Sequence, residues 1–300
     1  DVPKLALAET ATNTPRQTSK LAGRNTLTIG GQATPVSVSA QPPAAGPPAL
    51  ADLAGTYAFA LFAHDVGVNP PYTPSNATIG WGTAKLNADG TGRLCSGASV
   101  YSDSCLDGET NAPTTLTIKA SDPACSAANN LFGVYVTQGS PVTTDFAGCA
   151  VLSSNGSGNV VYLDKQASSN GQVNPGFLTM VQLPTAGTTL TVPNGTYQDT
   201  SLVDLATSPS NDCNSPFSFS NNSVSAQCMV DGTLQAQIFS VASQAPLPAG
   251  MLGVVSGGVV GPMLLPLSAD VWMRVTPTGS LSGSDVSEPG SIGWFKRTGS

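Results

Sequence analysis

The chain has 300 residues, with 18 acidic and 11 basic side chains, a net charge of −7 and charged residues at 10% of the composition, where ordinary soluble domains carry about a quarter. Helical bundles and coiled coils, which need Glu, Lys, Arg and Leu on long periodic stretches, are excluded on that ground. A nucleic-acid binder is excluded too, because it needs a basic surface and no Lys or Arg occurs between Lys165 and Arg274.

Residues 1–50 contain no aromatic residue and no Cys. Gln41–Leu50 reads QPPAAGPPAL, a polyproline-type spacer that stays extended because proline fixes φ and donates no backbone hydrogen bond. Leu27–Ile29 and Val36–Val38 alternate around Gly30-Gly31 and could form a small hairpin. A lone hairpin is marginal in water, so residues 1–50 read as a flexible Pro/Ala/Thr-rich leader, a tether of lipoprotein-like kind. No signal peptide is visible at Asp1, so the chain reads as a mature form or a trimmed one.

From about Leu53 the pattern changes to short alternating runs punctuated by turns. Thr56–Phe62 (TYAFALF) is a strand with Tyr57, Phe59 and Leu61 on one face. Asn87-Ala-Asp89-Gly90 is a tight turn joining two hairpin strands, since Asp and Gly tolerate positive φ. Thr114–Lys119, Phe132–Thr137, Val160–Leu163 and, after Pro175-Gly176, Phe177–Leu183 continue the series. The grammar then restarts: Gly195-Thr196-Tyr197 repeats Gly55-Thr56-Tyr57, Asp231-Gly232-Thr233 repeats Asp89-Gly90-Thr91, and Pro289-Gly290 precedes Ile292–Lys296. Two units follow from this, 51–187 and 188–300. Helical periodicity is confined to the short stretches Pro123–Asn129 and Ser201–Ala206.

One stretch demands a membrane test. Ala245–Leu267 is long enough to span a bilayer and carries no charge. It also holds Pro246, Pro248, Pro262 and Pro266, which break helical hydrogen bonding. It therefore reads as two short buried strands joined at Ser256-Gly257-Gly258.

Turn signals at such spacing point to an all-β chain of two tandem antiparallel domains, small barrels or sandwiches. A barrel would pair each Gly-Thr-Tyr strand with the Pro-Gly terminal strand and so remove the exposed edges. A strand opening Gly-x-Tyr, followed by a meander with Asp-Gly turns, resembles the lipocalin-type barrel. That resemblance implies an up-and-down meander and carries no ligand or site residue with it.

Six cysteines lie in three neighbourhoods: Cys95 and Cys105, Cys125 and Cys149, Cys213 and Cys228. With a single histidine and no CxxC, a zinc site has little to work with. Local disulfides pairing each neighbourhood are the simplest reading, and disulfides imply an oxidising compartment: secreted, periplasmic or cell-surface.

Chemistry-bearing motifs are sparse. His64 precedes Asp65, but strand neighbours point to opposite faces, so Asp65 orients it poorly for a triad, and no Gly-x-Ser-x-Gly occurs. Asp103, Asp107 and Glu109 flank Cys105 and could serve a glycosidase or calcium, though an acidic loop beside a disulfide is the simpler reading. Asp199-Thr200-Ser201 echoes an aspartic-protease motif without its apolar strand. No phosphate loop, metal cluster, haem or flavin motif is present, and no cofactor is expected. Trp81, between Gly80 and Gly82, could offer an indole face for stacking on a sugar. Tyr72, in a proline-rich loop, and His64 complete the candidate ligand-binding residues. The expectation is an exported, non-enzymatic binding module of the envelope or surface. Its partner would be a small molecule, a glycan or an envelope component. Peripheral membrane tethering would run through the N-terminus. The alternatives are a glycan-directed hydrolase using carboxylates of the first unit and a structural or adhesive subunit assembling through strand edges.

Overall fold

In the computed structural model, sixteen of the strands close into two eight-stranded antiparallel barrels that follow one another along the chain. The structure describes residues 26–29, 32–35, 49–67, 74–106, 111–125, 131–139, 142–156, 158–169, 172–184, 189–204, 213–230, 232–243, 247–277 and 290–299. The chain divides into two units, Asp1–Pro47 and Pro48–Ser300. In the first, β1 (Thr26–Ile29) pairs antiparallel with β2 (Gln32–Pro35). The hairpin partner is thus Gln32–Pro35, and Val36–Val38 lie outside the described residues. The tether expected over residues 1–50 likewise falls largely outside them.

The first barrel comprises β3 (Gly55–Gly67), β4 (Pro74–Leu86), β5 (Thr91–Ser96), β6 (Thr114–Ala120), β7 (Phe132–Gln138), β8 (Thr143–Ser154), β9 (Asn159–Ser169) and β10 (Gln172–Gln182). The second comprises β11 (Gly195–Asp204), β12 (Cys213–Ser220), β13 (Ser223–Val230), β14 (Thr233–Ala242), β15 (Leu252–Ser256), β16 (Val259–Pro266), β17 (Val271–Pro277) and β18 (Gly290–Gly299). Each is an up-and-down meander closed by its first and last strands, β3 on β10 and β11 on β18. Barrels are the outcome, rather than sandwiches, and the closing pairs are the Gly-Thr-Tyr strand and the Pro-Gly strand of each unit. The helical pattern at Ser201–Ala206 is overridden as far as Asp204, because pairing with β18 holds Ser201–Asp204 in β11. Residues 205 and 206 lie outside the described set.

The repeated Gly-Thr-Tyr has the same use in both barrels. Tyr57 and Tyr197 are fully buried. Tyr57 donates its hydroxyl proton to Leu53 O at 2.7 Å, and Tyr197 donates to Pro193 O at 2.9 Å, each reaching four residues upstream. A buried phenol must find an acceptor, and both rings anchor the segment that leads into their barrel. Burial pushes both hydroxyl pKa values up.

Period-two alternation sorts each strand between lumen and outside. Tyr57, Phe59, Leu116, Phe132, Leu163 and Met180 fill the first lumen. Tyr197, Phe219, Leu264, Trp272 and Phe295 fill the second. The second lumen is packed ring against ring, with Phe217–Phe295 centroids 4.8 Å apart, Tyr197–Phe219 4.9 Å and Phe219–Phe295 5.6 Å. Eight strands leave an interior just wide enough for such filling.

The intervening residues make a third core. Ala58, Ala60, Phe62 and Trp81 on the outside of the first barrel cluster with Met263, Leu265, Met273, Val275 and Ile292 on the outside of the second. Strand β16 is therefore apolar on both faces, which reads in sequence as a near-continuous hydrophobic run. This explains the bilayer-length stretch: it is β15, a Gly257-Gly258 turn with φ of +58° and +84°, and β16. Among the described residues no helix is long and apolar enough to cross a membrane. Asn155 Nδ2 adds a polar link across the contact, donating to Pro266 O at 3.0 Å.

All six cysteines are paired as their neighbourhoods suggested: Cys95–Cys105, Cys125–Cys149 and Cys213–Cys228. Three disulfides fit an oxidising extracellular or periplasmic environment.

Two local devices give testable consequences. In the Asn87–Gly90 turn, Asn87 N–H donates to Thr91 O, and Asp89 accepts from Thr91 N–H and hydroxyl. Gly90 has φ +84°, and a Cβ there would lie 2.4 Å from Ile118 O. Gly90→Ala is expected to destabilise by about 2–3 kcal/mol, from left-handed strain plus the displaced carbonyl, as read by urea denaturation. The second device is Asp122, 3% exposed, which accepts from Ala124 N–H at 2.9 Å and Tyr135 hydroxyl at 2.8 Å. These bonds hold its carboxyl below the usual carboxylate range. A depressed folded-state pKa stabilises above the unfolded value of about 3.9, and that stabilisation disappears as pH falls through the lower folded value. Wild type should therefore lose stability faster than Asp122→Asn on acidification below about pH 4, and parallel slopes in pH-dependent denaturation would refute this.

Candidate functional site

Of the candidate ligand-binding residues singled out in the sequence, only Trp81 has a described side chain. Trp81 lies on β4 and is 1% exposed, packed in the apolar contact between the barrels. Its neighbours Gly80 and Gly82 point the other way: Cβ atoms there would meet the Leu61 and Phe59 side chains. The glycines make room inside the barrel, and the indole is spent outside it. The indole N–H has no hydrogen-bond partner among the described residues. His64 lies on β3 at the register irregularity between Ala63 and Asp65, and its side chain is outside the described set, as is the whole of Tyr72.

Of the acidic loop, Asp107 and Glu109 lie outside the described residues. Asp103 is exposed, 3.5 Å from Lys85 Nζ, and accepts from the Tyr101 hydroxyl at 2.9 Å. Tyr101 first and Lys85 second hold its carboxyl below the ordinary range. Arg93 donates to the Asp103 and Cys105 carbonyls, so the Cys95–Cys105 disulfide and one guanidinium together brace the loop. Among the described residues no three His, Cys, Asp or Glu side chains gather to hold a metal.

Two features went unread in the sequence. The first is a charge pair in the second lumen. Arg274 on β17 shares the inward parity of Trp272, and Asp199 on β11 shares that of Tyr197. Arg274 Nε donates to Asp199 Oδ1 at 3.1 Å, Nη2 lies 3.0 Å from Oδ2, and Nη1 donates to Thr276 Oγ1 at 2.6 Å. The side chains are 9% and 15% exposed. This bidentate geometry is the strong form of such a pair. It occupies the carboxylate of the protease-like Asp-Thr-Ser echo. The available signal was the one cation inside the apolar run VWMRV.

The second feature is an open strand edge. β14 pairs with β13 along Thr233–Ser240, but with β15 only at Ser240, Val241 and Ala242. The β15–β16 hairpin turns at Gly257-Gly258, and a Cβ at either glycine would meet nothing within 4 Å. The run Thr233–Phe239 therefore has no strand beside it on that flank among the described residues. Val241 N–H donates to Asn222 O, on the β13 side. Alternation from there turns the N–H and C=O groups of Leu234, Ala236 and Ile238 to the open flank. On the outer surface Leu234 is 51% and Ile238 76% exposed. Natural sheets protect such an edge with charge, proline or a bulge. This run has no charge and no proline, and its pairing with β13 shows no register shift.

Comparison with protein-family models, with curated proteins and with solved structures finds no match to the chain.

Proposed function

We propose that this is an exported, non-enzymatic binding module of the cell envelope or surface, which takes up an extended polypeptide as an added strand along the open flank of β14. The observation that carries the reading is the run Thr233–Phe239, which no strand among the described residues covers, with three backbone donors and acceptors turned outward at Leu234, Ala236 and Ile238. Strand addition draws affinity from main-chain hydrogen bonds and selectivity from alternate side chains. Here the side chains would favour an uncharged strand with an apolar outer face. Two further observations support it. Among the described residues, apolar side chains cluster in both barrel interiors, which favours recognition on the outer surface. The three disulfides suit a protein working outside the reducing cytosol.

The test uses a capped, fluorescent peptide of alternating Thr and Ile and measures its anisotropy on titration with dilute full-length protein. Ala236→Pro removes only an N–H that faces the open flank, which is where an edge strand tolerates proline. Ala236→Lys adds a gatekeeping charge. The expected result is binding by the wild type and loss in both variants, with unchanged circular dichroism. Absence of wild-type binding, or equal binding by all three, would overturn the reading.

A further inference from the structure

Resting on that reading of the β14 edge, we infer that its occupant is a second copy of the same chain, paired β14 to β14 in antiparallel register about a twofold axis through Ala236. A twofold contact sets each residue against a partner fixed by symmetry. With the axis at Ala236, Leu234 of one copy lies opposite Ile238 of the other, Gln235 opposite Gln237, Thr233 opposite Phe239, and Ala236 opposite itself.

Each of these pairings is chemically matched. On the outer surface Leu234, Ala236 and Ile238 of both copies form one continuous apolar stripe, covering side chains that are otherwise exposed. On the inner surface the glutamine amides meet each other, each able to donate and accept. A symmetric contact brings any charge close to its own duplicate, so a charged edge opposes itself. No charged residue occurs from Gly232 to Ala269, which is the electrostatic condition for self-pairing.

The hydrogen-bond geometry agrees. Leu234, Ala236 and Ile238 all turn their N–H and C=O groups to the open flank, so the axis falls on a hydrogen-bonded pair. Ala236 exchanges both bonds with its duplicate, and Leu234 does so with Ile238 on either side. The lengths agree as well. The open run ends at Phe239, where pairing with β15 begins at Ser240. The opposing copy's strand begins at Thr233, directly across from Phe239, so its β13–β14 turn arrives where β15 takes over.

The experiment is sedimentation of the full chain over a concentration series, combined with single-cysteine crosslinking on the disulfide-intact protein. The wild type is expected to move from monomer to dimer with concentration, and Ala236→Lys to remain monomeric. Ala236→Cys is expected to crosslink to its duplicate, because Cα atoms in a hydrogen-bonded pair lie about 5.5 Å apart, within disulfide reach. Leu234→Cys, facing Ile238 rather than itself, is not. A wild type that stays monomeric while still binding the Thr/Ile peptide would overturn the second copy as occupant and leave the edge reading standing. A monomer that also ignores the peptide would overturn both. Equal crosslinking at Leu234→Cys and Ala236→Cys would overturn the register.

Discussion

Arg274→Ala is expected to destabilise the protein by about 3–5 kcal/mol, because it strands the Asp199 carboxylate inside the second barrel. The guanidinium holds both carboxylate oxygens and the Thr276 hydroxyl. With both side chains largely withdrawn from water, solvent cannot replace what is lost. The desolvation cost of the surviving charge sets the size of the effect, so the remedy is to remove that charge as well. The double variant Asp199→Leu with Arg274→Met is expected to recover most of the loss, since apolar replacement of a buried pair is often neutral or stabilising. Arg274→Lys should fall between, keeping the charge but losing the two-pronged geometry. Urea denaturation followed by tryptophan fluorescence reads all three, Trp272 lying in the same lumen. A double variant no better than Arg274→Ala would show that packing of the arginine stem, not the stranded carboxylate, sets the cost.

Removing the Cys125–Cys149 disulfide is expected to cost roughly 3–4 kcal/mol, the largest loss among the three crosslinks. A crosslink acts chiefly by shrinking the unfolded ensemble, more so for a longer loop. The sequence separations are 24 here, 15 for Cys213–Cys228 and 10 for Cys95–Cys105. The same chain-entropy treatment gives roughly 3 kcal/mol for each shorter loop. Cys125→Ala with Cys149→Ala also loosens the turn that carries Asp122, leaving the hydrogen bond that Asp122 accepts from the Tyr135 hydroxyl to hold it to β7. The midpoint in urea should fall most for this pair, then for Cys213 with Cys228, then for Cys95 with Cys105. A reversed order would mean that native-state contacts, not loop closure, govern their contribution.

Much of the fold was legible because it is written in local rules. Alternation marked the strands, Asp89-Gly90 marked a hairpin turn, and the restart at Gly195-Thr196-Tyr197 marked the second barrel. The prolines of Ala245–Leu267 turned a membrane-length apolar run into two strands. Sequence left sandwich and barrel open, since closure depends on whether β3 meets β10 and β11 meets β18 across the whole length of each unit. Trp81 shows why sites were harder. Its flanking glycines suggested an accessible ring, but alternation only says that glycine and tryptophan face opposite ways. That the outward face is covered by Met263, Leu265 and their neighbours is a property of the other barrel. The Arg274–Asp199 pair joins residues 75 apart in sequence, and only barrel closure brings them together. The β14 edge arises from a mismatch in hairpin length: β14 runs ten residues and β15 five. The turn signals at Asp231-Gly232 and Gly257-Gly258 hint at that mismatch, but it becomes an edge only when the two strands are neighbours.

The most direct test of the open edge is residue-resolved amide hydrogen exchange on the full chain over a dilution series. In dilute solution the amides of Leu234, Ala236 and Ile238 should exchange quickly, while those of Gln235, Gln237 and Phe239, bonded toward β13, stay protected. Protection at the first three should then rise with protein concentration. Slow exchange at Leu234, Ala236 and Ile238 at every dilution would contradict the account, because it would place a covering strand within the chain itself.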